Sequence, residues 1–90
     1  MMIDQYVLPQ TGWVFKDQNG KYGGMEEKGI SMLCLFKQPP TKEEIIQQNK
    51  ATPEEVTFEQ AREIAKQMGD DVVGIVIIEN MKPVYLHFVK

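Results

Sequence analysis

From Asp71 onward the apolar residues of this chain crowd together rather than alternate. Val72-Val73-Gly74-Ile75-Val76-Ile77-Ile78 is apolar at odd and even positions alike, the pattern of a strand covered on both sheet faces. Asn80-Met81-Lys82-Pro83 reads as a turn and Val84-Tyr85-Leu86-His87-Phe88-Val89 as a second β-rich run, so the segment predicts a C-terminal β-hairpin. Upstream, Gly12 to Lys16 has the aromatic and β-branched content of a strand, and Asn19-Gly20 behind it is a hairpin signal. Lys21 to Met25 pairs back briefly before a loop at Glu26-Glu27-Lys28-Gly29. Ile30 to Lys37 is a further strand, stopped by Pro39-Pro40, and Ile3 to Leu8 is an edge-strand candidate halted by Pro9.

The middle of the chain changes period. Thr41-Lys42-Glu43-Glu44 has the residues of a capping box and predicts a short helix over about 42–49. Thr52-Pro53-Glu54-Glu55 repeats that signal, with proline at a first helical position, yet Thr57 with Gln60 three residues on offers a competing start. The reading is a turn or short helical piece at 52–56, then a principal helix over about 57–68. Phe58, Ala61, Ile64, Ala65 and Met68 line one side of that helix and Glu59, Arg62, Glu63 and Lys66 the other, with Gly69 as its C-terminal cap.

Strands, then helices, then a hairpin predict an α+β fold: an antiparallel sheet of four to five strands crossed by the principal helix, in a single domain over residues 1–90. Both sheet faces are apolar. Met32, Cys34 and Phe36 oppose Leu33 and Leu35; Val73, Ile75 and Ile77 oppose Val72, Val76 and Ile78; Val84, Leu86 and Phe88 oppose Tyr85, His87 and Val89. One long helix covers one face. Either the short helix crosses to the second face, or that face stays apolar and calls for a partner.

Composition narrows the functional classes. A 42% apolar and 26% charged content suits a folded domain, and a net charge of −3 without a basic stripe gives nucleic acid no electrostatic footprint. The apolar runs are too short to span a bilayer as helices, and no membrane association is expected. Cys34 is the only cysteine and reads as a small buried hydrophobe; without a disulfide framework the expected setting is cytoplasmic, and Met1 to Tyr6 carries no signal-peptide pattern.

Candidate chemistry is sparse. His87 is the only histidine and pairs with Cys34 as a nucleophilic dyad only in a favourable register; both fit better as sheet residues. The Cys and His count falls short of a zinc site, and neither Asp70-Asp71 nor Glu26-Glu27 has calcium-loop spacing. Gly20-Lys21-Tyr22-Gly23-Gly24 lacks the spacing of a phosphate loop and reads as a hairpin tip. No catalytic residue, cofactor or metal is therefore expected. The sequence suits a non-catalytic protein-interaction or assembly module, self-associating as a homodimer or binding another protein. Its surface would be the apolar sheet face, with Leu33, Leu35, Tyr85 and His87, or the tip around Trp13 and Tyr22. The alternative is a regulatory subunit that holds a small molecule in a pocket between sheet and helix, and an enzyme with a site shared between subunits ranks third.

Overall fold

The computed structural model describes residues 7–47 and 51–89. Along them run β1 (Thr11–Lys16), β2 (Gly24–Glu27), β3 (Ile30–Phe36), α1 (Lys42–Gln47), β4 (Thr52–Thr57), α2 (Phe58–Gln67), β5 (Val72–Glu79) and β6 (Lys82–Phe88). The α+β class, the two helices and the C-terminal hairpin are as the sequence predicts, and the sheet has six strands rather than four or five. Most of the edge strand expected over Ile3 to Leu8, and the end of the first helix near Asn49, lie outside the described residues.

The sheet order is β4-β1-β3-β5-β6, with β2 paired to β3 beside this path. The pairings are antiparallel except β3 with β5, which run parallel, so the sheet is mixed rather than purely antiparallel. Since β4 opposes β1 and β1 opposes β3, β4 runs the same way as β3 and β5. Both helices therefore sit in crossovers between like-directed strands: β3 to β4 through α1, and β4 to β5 through α2. The two crossovers travel in opposite directions across the sheet, and the usual right-handed connection then calls for helices on opposite faces.

The packing agrees. Ala61 and Ala65 of α2 join Val14, Leu33, Leu35, Val56, Val72 and Ile75 in one buried cluster, rimmed by Phe58, Ile64 and Met68. On the other face Phe15, Met32, Phe36, Val76 and Ile78 bury against one another, with Trp13, Met25, Cys34, Ala51, Val73 and Leu86 around them. Ala51 and a small cavity between Thr41, Glu44, Phe36 and Ile78 bring the α1 connection to this second side. Yet Ile46 of α1 is 75% exposed, so α1 turns part of its apolar surface to water.

Three local readings are corrected. The stretch 52–56 is not a turn or helical piece: it forms β4, paired with β1 from Thr11↔Thr57 to Lys16↔Thr52. On an edge strand the missing N–H of Pro53 costs little, and the real helix start is one box further on. There the Thr57 hydroxyl accepts from the Gln60 N–H at 3.1 Å, while the Gln60 side chain accepts from the Thr57 N–H at 2.8 Å. Second, Glu26 and Glu27 belong to β2, and the turn into β3 shrinks to Lys28 and Gly29, both at positive φ. Third, β5 does not alternate regularly. Its register shifts between Ser31 and Met32, which pair with Val72 and Gly74, and the extra residue places Val72 with Ile75 and Val73 with Val76 and Ile78.

The Asn-Gly hairpin is present. The Gly20 N–H donates to the Asp17 carbonyl at 3.0 Å, and the Asp17 carboxylate accepts from the Asn19 and Lys21 N–H groups. Beyond it Gly23 wedges between β1 and β3, donating to the Phe15 carbonyl at 2.8 Å and accepting from the Cys34 N–H at 3.2 Å. The two strands, in register at Trp13↔Phe36, splay around that wedge.

Candidate functional site

The six residues singled out in the sequence do not form one surface. Leu33 and Leu35 have no exposure and lie in the core beneath α2, so neither can line an interface. Tyr22 also packs against that core, with the Lys16 ammonium 5.5 Å from its ring centre. His87 meets the Phe58 ring edge-to-face at 5.1 Å. Trp13 is half-buried on the other face. Tyr85, 38% exposed, remains as surface and lines a groove of about 280 Å³ with Met25, Ile30, Met32, Val76, Pro83 and Leu86. Cys34 is on the second face and His87 contacts α2 from the first, so the sheet separates the two members of a possible dyad. Burial pushes the Cys34 thiol up to about 11, which keeps it protonated near neutral pH.

The second face is less open than its composition suggests, because its central side chains bury one another. Part of the exposed apolar surface lies instead on β6, where Val84 is 45% and Phe88 61% exposed. The backbone of this strand explains why that matters. Val89 donates to the Val73 carbonyl at 2.9 Å, in the register that pairs Gly74 with Phe88 and Ile75 with His87. In an antiparallel ladder the residues that bond inward alternate, so His87 and Tyr85 turn their polar groups to β5. Leu86 and Phe88 turn theirs outward. Among the described residues no strand pairs with that outer edge.

The opposite edge is built differently. There β4 carries Pro53, Glu54 and Glu55, and proline with charges is how sheet edges resist adding strands. Strand β6 carries no carboxylate, and its own blunting is confined to one end, where Pro83 and a register shift opposite Ile77 and Ile78 interrupt the ladder. The sequence marked the residues of this strand correctly but not its place at an edge, since strand order depends on the long crossover of α2.

A second concavity lies between the hairpin tip and α2. Gly20, Lys21, Tyr22, Ile64, Gln67 and Met68 line a cleft of about 520 Å³. Its polar side chains are those of Lys21, Tyr22 and Gln67, and among the described residues no cluster of three or more His, Cys, Asp or Glu side chains is arranged to hold a metal. Among the described residues no helix is long and apolar enough to cross a membrane. No protein-family model, curated protein or solved structure matches the chain.

Proposed function

We propose that the protein is a non-catalytic interaction module that assembles by adding a strand at β6. The observation that carries this reading is the coincidence, on one edge strand, of exposed Val84 and Phe88 with the outward backbone groups of Leu86 and Phe88. An added strand satisfies those groups, and covering a large apolar side chain contributes about 1.5–3 kcal/mol. A reducing, cytoplasmic setting belongs to the same reading, since a single cysteine gives the sequence no disulfide framework.

Native mass spectrometry over a concentration series tests it, with Phe88→Lys beside the parent chain. The side chain of Phe88 is mostly in water, so the substitution should leave the monomer's fold intact and weaken assembly at least about tenfold. Equal association by the two chains would refute the reading. A second reading, binding of a small molecule, rests on the cleft between Tyr22 and Ile64. A co-purified mass, and a melting temperature that rises with the isolated compound, would favour it.

A further inference from the structure

We infer that Asn19 is a site of spontaneous deamidation, at a rate set by how well Asp17 keeps the hairpin tip closed. The reaction needs a carboxamide and, one residue on, a backbone nitrogen free to reach it. The Gly20 nitrogen attacks the Asn19 Cγ, a C–N bond forms, and Nδ2 leaves as ammonia with the Gly20 amide proton. Water then opens the cyclic imide. Attack at Cγ gives aspartate, and attack at the main-chain carbonyl gives isoaspartate. The sum is asparagine and water to acid and ammonia, with no oxidant or reductant.

Of the two described asparagines, Asn19 is the one placed for this chemistry. It is exposed, and the residue after it has no side chain. Where a Cβ on Gly20 would stand, the nearest neighbour is the Lys16 Cε at 3.9 Å, so packing does not shield the attacking nitrogen. Asn80 is followed instead by Met81, whose side chain crowds the equivalent nitrogen, and both are held at positive φ in the β5–β6 turn.

Hydrogen bonding holds the reaction back. The Gly20 N–H donates to the Asp17 carbonyl at 3.0 Å, and the Asp17 N–H donates to the Lys21 carbonyl at 2.8 Å. The Asp17 carboxylate braces the same turn, its Oδ1 accepting from the Asn19 and Lys21 N–H groups, each at 2.8 Å. Asp17 is a partner in every one of these bonds. Imide formation requires the Gly20 nitrogen to give up its proton and the turn to give up its dihedrals, so it belongs to the opened tip. Its rate then follows the open population.

The product changes what the tip presents. Aspartate and isoaspartate each add one negative charge, beside Asp17, to a chain already at −3. Isoaspartate also inserts a methylene into the main chain, so the tip no longer closes on the same bonds. Gly20, Lys21 and Tyr22 line the cleft against Ile64, Gln67 and Met68, and the change falls on that wall.

Incubation at mildly alkaline pH, followed by peptide mapping with mass spectrometry, tests this on the parent chain, on Asp17→Ala and on the parent in urea. Asn19 should convert to a mixture of isoaspartate and aspartate, slowly in the folded parent and fastest in urea. In Asp17→Ala, where two N–H groups lose their acceptor, conversion should be at least about fivefold faster than in the folded parent. Amide exchange in β5 should keep the parent's rate, which marks the opening as local to the tip. No conversion of Asn19 in urea, or another asparagine converting first, would overturn the site. Equal rates for the folded parent and Asp17→Ala, or acceleration accompanied by faster exchange throughout β5, would overturn the control by Asp17.

Discussion

Met81 holds its backbone at φ 64°, in the left-handed region that costs a side-chain-bearing residue about 1–2 kcal/mol. It shares the β5–β6 turn with Asn80 at φ 54°, and two residues at positive φ make the turn whose twist suits a hairpin. Asparagine tolerates that region and methionine does not, while the Met81 side chain is 48% exposed and has little packing to lose. Met81→Gly should therefore stabilise the fold by about 1 kcal/mol, read from urea unfolding midpoints. Cys34 gives a residue-scale prediction in pH. Burial raises its thiol from 9.0 to about 11, so on unfolding it ionises at the lower value. Between those pH values the native state binds more protons, and stability falls as pH rises through the window. The parent should lose up to about 3 kcal/mol relative to Cys34→Ala between pH 9 and 11, by denaturation at fixed temperature. That Cys34 packs as a small hydrophobe was legible from its apolar neighbours, though it is half-buried at the rim of the second core rather than within it. The burial of Leu33 and Leu35 was not, because alternation tells which side chains share a face and not which face the helix takes.

At the scale of elements, the boundaries written in hydrogen-bonding side chains were the readable ones. Thr41 and Thr57 each form the box their sequence announces, Thr41 accepting from the Glu44 N–H at 3.1 Å and Glu44 accepting from the Thr41 N–H at 2.8 Å. Thr57→Ala should cost about 1 kcal/mol, measured by thermal or urea unfolding, because the Gln60 N–H loses its acceptor at the start of the helix that covers the core. The β4 strand was hidden by its own composition. Pro53, Glu54 and Glu55 favour a helix start locally, and only the ladder to β1, formed by residues some forty positions earlier, makes them a strand. The extra residue in β5 was equally invisible, because a run apolar at every position gives no sign of where its alternation breaks.

For the whole molecule, topology decides which apolar surface is covered. Two crossovers in opposite directions bring α2 to one face and the α1 connection to the other, where Phe15, Met32 and Phe36 form a second core. Val84 and Phe88 on the edge strand β6 stay exposed, as does Ile46 on α1. The sequence already required that some apolar surface find cover, but a local pattern cannot say whether a strand is central or terminal in its sheet. The contrast between β4, with Pro53 followed by Glu54 and Glu55, and β6, whose proline and lysine sit at one end and which has no carboxylate, appears only once both are placed at opposite ends of the strand order.

The most direct test of the account is residue-resolved amide hydrogen exchange of β6 at low and high protein concentration. The N–H groups of Leu86 and Phe88 should exchange quickly in the dilute protein and become protected as concentration rises, while those of Tyr85 and His87, bonded to β5, stay protected throughout. Exchange at Leu86 and Phe88 that stays fast at every concentration would contradict strand addition at this edge.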